Sequence, residues 1–151
     1  MTDYESLCLK LTALTDGVPH RTANLANASA LIYETLEDLN WAGFYLVKDG
    51  KLQLGPFQGK PACTVIEVGK GVCGTAIAED KTQLVKNVHE FPGHIACDGA
   101  SESEIVIPIH ADGQLKAVLD IDSPVKNRFS PEDRAGLERL AGLIEEKVNW
   151  A

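Results

Sequence analysis

The sequence predicts an α+β domain, with a central antiparallel sheet of six strands, long helices on one face and a pocket under loops on the other. Three observations carry this expectation. Helical periodicity occupies both ends of the chain. Two Asp-Gly pairs, Asp49-Gly50 and Asp112-Gly113, each sit between runs of strand-forming residues and mark hairpins. Between the hairpins lie a short glycine-flanked helix and a long irregular stretch, which leave one sheet face without a long helix.

Taken in order, residues 3–14 predict a short helix with Leu7, Leu11 and Leu14 on one stripe. Residues 21–38 predict a second, with Leu25, Ala28, Ile32 and Leu36 inward. Trp41 to Val47 pairs with Lys51 to Phe57 across Asp49-Gly50, and 64–68 adds a third strand. Gly69-Lys70-Gly71 turns into a helix over 72–79, and 83–86 returns as a short strand. Residues 87–101, which include Pro92, Gly93 and Gly99, predict a long loop. Residues 104–110 and 114–122 form the second hairpin. Ser130-Pro131-Glu132-Asp133 starts the last helix, with a capping serine, proline at the first helical position and acids in the first turn. That helix runs to about 148 with Leu137, Leu140, Ile144 and Val148 inward.

A chain of 151 residues without repeats or linkers fits a single domain spanning 1–151. The net charge of -8, with no clustered Lys or Arg, disfavours nucleic-acid and anionic-membrane partners. No stretch approaches the roughly 18 apolar residues of a membrane span. The first twenty residues lack a basic start and apolar core, so the expected location is the cytoplasm. In that reducing compartment the four cysteines, Cys8, Cys63, Cys73 and Cys97, are not expected to form structural disulfides. They contain no C-x-x-C pair, which disfavours a zinc ribbon.

The remaining alternatives are buried apolar thiols or reactive ones. Cys97 lies in the long loop, and loops of that length inside compact domains are more often functional than idle. Cys73 sits at the start of the short helix, where the helix terminus favours a thiolate, or else it is a small residue packed between helix and sheet. Cys63 begins a strand beside a loop, and Cys8 lies on the first helix. His89, His94 and Cys97 could chelate a metal, but no fourth ligand is evident, so no metal is expected. No cofactor is expected either.

On the strands, Trp41, Gly43 and Tyr45 share one face, and Val118, Asp120 and Asp122 share one face of theirs. The two aspartates line either a solvated outer face or a negative wall that binds an ammonium group. Glu104 begins the neighbouring strand. A two-residue hairpin loop sets it opposite Ile121, and a three-residue loop sets it opposite Asp120.

Several segments together resemble the free methionine-(R)-sulfoxide reductases, a group of GAF-domain proteins. They are Trp41-Ala42-Gly43-Phe44-Tyr45-Leu46, Leu54-Gly55-Pro56-Phe57-Gln58-Gly59 and Gly69-Lys70-Gly71-Val72-Cys73-Gly74. His94-Ile95-Ala96-Cys97-Asp98, Ser103-Glu104-Ile105-Val106-Ile107-Pro108 and Ala117-Val118-Leu119-Asp120-Ile121-Asp122-Ser123 complete the set. The resemblance spans roughly residues 20–145 and includes Cys63, Cys73 and Cys97. It implies a GAF-like domain in which Cys97 is the nucleophile, Cys63 the recycling thiol and Cys73 an auxiliary thiol. It also implies that Trp41 and Tyr45 shape the substrate pocket and that Glu104, Asp120 and Asp122 contact the substrate.

The implied chemistry suits these residue types. A thiolate at Cys97 attacks the sulfoxide sulfur, and a carboxylic acid supplies the proton the oxygen needs in order to leave that sulfur. The resulting sulfenic acid condenses with Cys63 to a disulfide, which a thioredoxin-like dithiol reopens. Carboxylates attract the amino group of the free amino acid. The implied partners are thus free methionine sulfoxide and a thioredoxin-like reductant; a homodimer is admitted, because the sequence does not fix the oligomeric state. Two rivals use the same residues without turnover: a GAF-type small-molecule sensor and a thiol redox sensor.

Overall fold

The computed structural model describes residues 1–94 and 99–151. Helices α1 (Tyr4–Thr15) and α2 (Arg21–Thr35) lead into strands β1 (Trp41–Lys48), β2 (Lys51–Gly59) and β3 (Val65–Ile66). Helix α3 (Gly71–Glu79) follows, then β4 (Gln83–Val85), a single 3₁₀ turn at Val88–Glu90, β5 (Ser103–Ala111), β6 (Gln114–Ser123) and α4 (Pro131–Lys147). The strands form one antiparallel sheet in the order β3-β2-β1-β6-β5-β4. This is the predicted α+β architecture.

Local chemistry fixes the ends of the elements. Asp3 caps α1 by accepting from the Ser6 N–H at 3.0 Å. Ser130 and Asp133 form a reciprocal capping box at α4, and Arg128 Nη1 donates to Asp133 at 3.0 Å. Both hairpin turns use Asp-Gly with positive φ, 53° and 75° at Asp49-Gly50 and 54° and 74° at Asp112-Gly113. This is the turn type whose twist matches paired strands.

Helix α2 is shorter than predicted. It stops at Thr35, and Leu36 leaves the helix in extended conformation yet stays buried. Leu14 was expected inward but is 43% exposed, and Thr15 takes the buried position with its hydroxyl bonded to the Leu11 carbonyl. Helices α1, α2 and α4 cover one sheet face, where Leu7, Leu25, Ile32, Leu137 and Leu140 pack on Phe44, Ile105, Leu119 and Ile121. Burying side chains of this size contributes about 1.5–3 kcal/mol each before conformational entropy is counted. The opposite face carries Trp41, Tyr45, Val106 and Val118, against which α3 packs Val72, Cys73 and Ala76.

Two irregularities decide what that second face displays. Along β5–β6, His110 pairs with Leu115 but Ile109 pairs with Ala117, so Lys116 is an extra residue in β6. The turn has two residues, as one expectation required, yet this bulge shifts the register by one and places Glu104 opposite Asp122. Both sequence-level pairings of Glu104 are thereby corrected. The consequence is chemical, because Glu104 now shares a face with Asp120 and Asp122.

The second irregularity lies between β1 and β2. Gly43 pairs with Phe57 and Tyr45 with Leu54, so β2 carries an extra residue at Gly55-Pro56. A Cβ on Gly43 would lie 2.3 Å from the Phe57 Cβ and 2.8 Å from the Pro56 carbonyl oxygen. Glycine is what lets β2 close over β1 here. Gly43→Ala is expected to destabilise the protein by about 1–3 kcal/mol through overpacking. Thermal or denaturant unfolding checks this, and an unchanged midpoint would show that the contact relaxes freely.

Candidate active site

The sheet face beneath α3 forms the floor of a narrow cavity. Trp41, Tyr45, Glu104, Asp120 and Asp122 line it from the sheet. Pro61, Ala62 and Ile66 close one side, Lys70 to Cys73 another, and His94 and Ser101 a third. Strand alternation explains the floor, since Trp41 pairs with Asp122, Gly43 with Asp120, Glu104 with Asp122 and Val106 with Asp120. The solvated-face alternative for the aspartates is therefore excluded.

Trp41 and Tyr45 form the aromatic wall, with ring centroids 5.9 Å apart and planes at 23°, and Phe57, outside the cavity lining, stacks on Trp41 at 5.1 Å and 15°. The Trp41 Nε1–H donates to the Lys60 carbonyl at 3.1 Å, which fixes the indole. The Tyr45 hydroxyl donates to the Cys63 carbonyl at 2.9 Å and ties that cysteine's backbone to the cavity floor. Phe57 was not among the predicted site residues. Gly55-Pro56 inside a strand was the available signal, because that pair announces a bulge that re-aims the next side chain.

The electrostatics are unusual for a buried surface. Glu104 and Asp120 are each 6% exposed. Burial, and then the mutual repulsion of the carboxylates, pushes Glu104 and Asp122 well above the ordinary carboxyl range. Burial raises Asp120 as well, although hydrogen bonds to Glu104 and Cys73 offset part of the rise. Ser101 Oγ–H reaches Asp122 Oδ2 at 3.4 Å. Among the described residues, Asp120 Oδ1 and Asp122 Oδ1 are buried with no hydrogen-bond partner. Two vacant acceptors on neighbouring carboxylates form a receptor for a cationic donor.

The thiols divide into distinct states. Cys63 is disulfide-bonded, whereas Cys8 and Cys73 are free and buried. The sequence left Cys73 as either a helix-terminus thiolate or a small residue packed between helix and sheet, and its burial favours the second. Cys73 is the third residue of α3, but burial and the facing Asp120, Glu104 and Asp122 push its thiol well above the usual range. Three facing carboxylates outweigh one helix terminus worth about 0.3–1 kcal/mol. Cys97 lies outside the described residues, as does part of the loop expected to hold it. His94 lines the cavity with Nε2 3.9 Å from Glu104 Oε1, and desolvation lowers its pKa. His89 instead contacts Glu102 at 2.8 Å on the surface, so the two histidines do not converge as a metal pair.

The GAF-domain family pattern matches residues 22–147. The chain is 54% identical over 143 residues to the free methionine-R-sulfoxide reductase of Escherichia coli, covering 95% of this chain and 87% of that protein. The fRMsr of Staphylococcus aureus, solved in complex with substrate, superposes with a TM-score of 0.94 at 47% identity, covering 98% and 97% of the two chains. The free methionine-R-sulfoxide reductase of Neisseria meningitidis, also in complex with its substrate, gives 0.92 at 40% identity over 95% and 87%. The chain belongs to the free methionine-R-sulfoxide reductase family of GAF-domain proteins. The cavity described above, with its stacked indole, two buried carboxyls and a half-buried third, is the feature of this reductase-family fold that needs a functional account.

Proposed function

We propose that this chain reduces free methionine (R)-sulfoxide to methionine, with Cys97 as nucleophile and Cys63 as resolving thiol. The observation that carries the reading is the pair of unpartnered carboxylate oxygens on Asp120 and Asp122 beside the Trp41 indole. The oxygens suit the ammonium of a free amino acid, and the indole suits a sulfur-methyl group. A methionine residue within a polypeptide has no such ammonium. The related reductases solved with their substrates support the same assignment.

In the proposed cycle the Cys97 thiolate attacks the sulfoxide sulfur, and a cavity carboxyl protonates its oxygen. The protonated oxygen then passes from the substrate sulfur to the Cys97 sulfur as the bond between the two sulfurs breaks, methionine leaves with that bonding pair, and Cys97 is left as a sulfenic acid. The Cys63 thiol displaces that oxygen as water and closes the disulfide. A thioredoxin-like dithiol then reopens it by exchange and is itself oxidised. The disulfide at Cys63, together with free thiols at Cys8 and Cys73, supports the pairing. Cys73 is an auxiliary thiol in this scheme.

The test is a coupled assay on free and peptide-bound methionine sulfoxide with each epimer. Continuous oxidation of thioredoxin by the free R epimer alone is expected. A thiol sensor would consume one oxidant per disulfide and stop. Asp122→Asn is expected to raise KM by about tenfold with a smaller change in kcat, as loss of a charge-assisted contact does. An unchanged KM removes Asp122 from the ammonium site.

A further inference from the structure

We propose that Cys73, Glu104 and Asp120 form a binding site for a thiophilic divalent cation of the zinc type, which excludes the amino acid by occupying its ammonium site. One Cys73 sulfur, one Glu104 oxygen and one Asp120 oxygen lie within 4.8 Å of one another, and all three residues are buried. Tetrahedral zinc holds its donors about 2.0–2.3 Å away and hence about 3.3–3.8 Å apart, so the trio needs to close by at most about 1.5 Å. An independent sign of a missing ligand is Asp120 Oδ1, buried in a residue 6% exposed and without a partner among the described residues. His94 lines the same cavity, with Nε2 3.9 Å from Glu104 Oε1, but lies outside the trio, so water completes the coordination. The cavity of ≈ 40 Å³ exceeds the about 10–15 Å³ that one water needs, so it takes an ion with a bound water.

The donor set selects the metal. One sulfur with two carboxylates suits zinc, whereas magnesium and calcium want oxygen alone. Zinc binds the thiolate and carboxylate forms, so protons compete with it for these ligands and affinity rises with pH. Cys73 is free while Cys63 is disulfide-bonded, so the site is available in the oxidised protein too.

The experiment titrates Co²⁺, as a coloured substitute for zinc, into the whole protein under anaerobic conditions. The expected result is a thiolate-to-cobalt charge-transfer band with the visible bands of a tetrahedral ion, in both reduced and disulfide-bonded protein. Zn²⁺ should bleach it, and free methionine sulfoxide should raise the apparent Kd. Cys73→Ser should abolish the charge-transfer band, Cys97→Ser should keep it, and Glu104→Gln should keep it with at least about tenfold weaker binding. No band in the wild type, or a band lost in Cys97→Ser but kept in Cys73→Ser, overturns the site. Should Cys73→Ser fail to fold by circular dichroism, X-ray absorption on the zinc-loaded wild type decides: a single sulfur among light ligands is expected, and two or more overturn it. None of these readouts uses reductase activity; the competition with methionine sulfoxide alone rests on the proposed substrate, so its absence beside an intact band overturns the exclusion and not the metal site.

Discussion

Cys97→Ser is expected to abolish turnover of free methionine sulfoxide, lowering kcat by about 1000-fold or more, the scale on which removal of a nucleophile acts. The hydroxyl of serine stays protonated at neutral pH and cannot attack sulfur without a base. The companion variant separates the two thiols. Cys63→Ser leaves the attack intact but blocks disulfide closure, so about one methionine per protein should form without external thiol. Oxidised protein should then carry a sulfenic acid that a dimedone-type probe traps, and the wild type should not accumulate it. In the proposed cycle the oxygen reaches Cys97 in the first step, and only the second thiol removes it as water. Full multi-turnover activity in Cys97→Ser would identify a different nucleophile. Cys73 would be the first to examine, although its burial beside three carboxylates makes its thiolate costly.

What the sequence made legible was local. The Asp-Gly turns, the Ser130 cap and the inward stripes of α2 and α4 depend on residues within one turn of each other, and they appear nearly as expected. Strand alternation gave the two faces of β1 and β6 correctly, and with them Trp41, Tyr45, Asp120 and Asp122. The errors came where a feature depends on a distant partner. Lys116 is displaced into a bulge by pairing with β5, so no count of loop residues could place Glu104 opposite Asp122. Leu14 follows a helical stripe, but the neighbouring helices do not extend over it. Cys73 was judged by its own helix, while the carboxyls that control it come from strands more than thirty residues later in the sequence. Phe57 reaches Trp41 only because Gly43 lacks a Cβ. Long-range convergence of this kind is what pocket chemistry requires and what periodicity cannot report.

The carboxyl cluster yields the second large effect. Of the three groups, Glu104 is the best candidate for the acid: beyond the effect of burial, its hydrogen bonds to Asp120 and Asp122 raise it while the same bonds lower the aspartates, and the vacant acceptors belong to the aspartates rather than to it. In this division of labour Asp120 and Asp122 hold the ammonium while Glu104 carries the proton to the sulfoxide oxygen. The sign of the pH dependence follows. The acid form is active, and a raised pKa keeps that form populated to higher pH, so kcat should fall as pH rises through the folded-state value. Glu104→Gln should lower kcat by about 100- to 10,000-fold and flatten that alkaline limb, the range for loss of a general acid. Stability should move the other way. A carboxyl raised in the folded state stabilises below its unfolded pKa, and that contribution is lost as pH rises through the folded value. Glutamine cannot ionise, so the variant should outlast the wild type at alkaline pH, by a Tm difference that widens as pH rises. Paired pH profiles of kcat and Tm read both effects. A variant that keeps the alkaline limb would place the proton on Asp120 or Asp122, and a variant less stable at high pH would mean that Glu104 is held in the folded protein as a carboxylate.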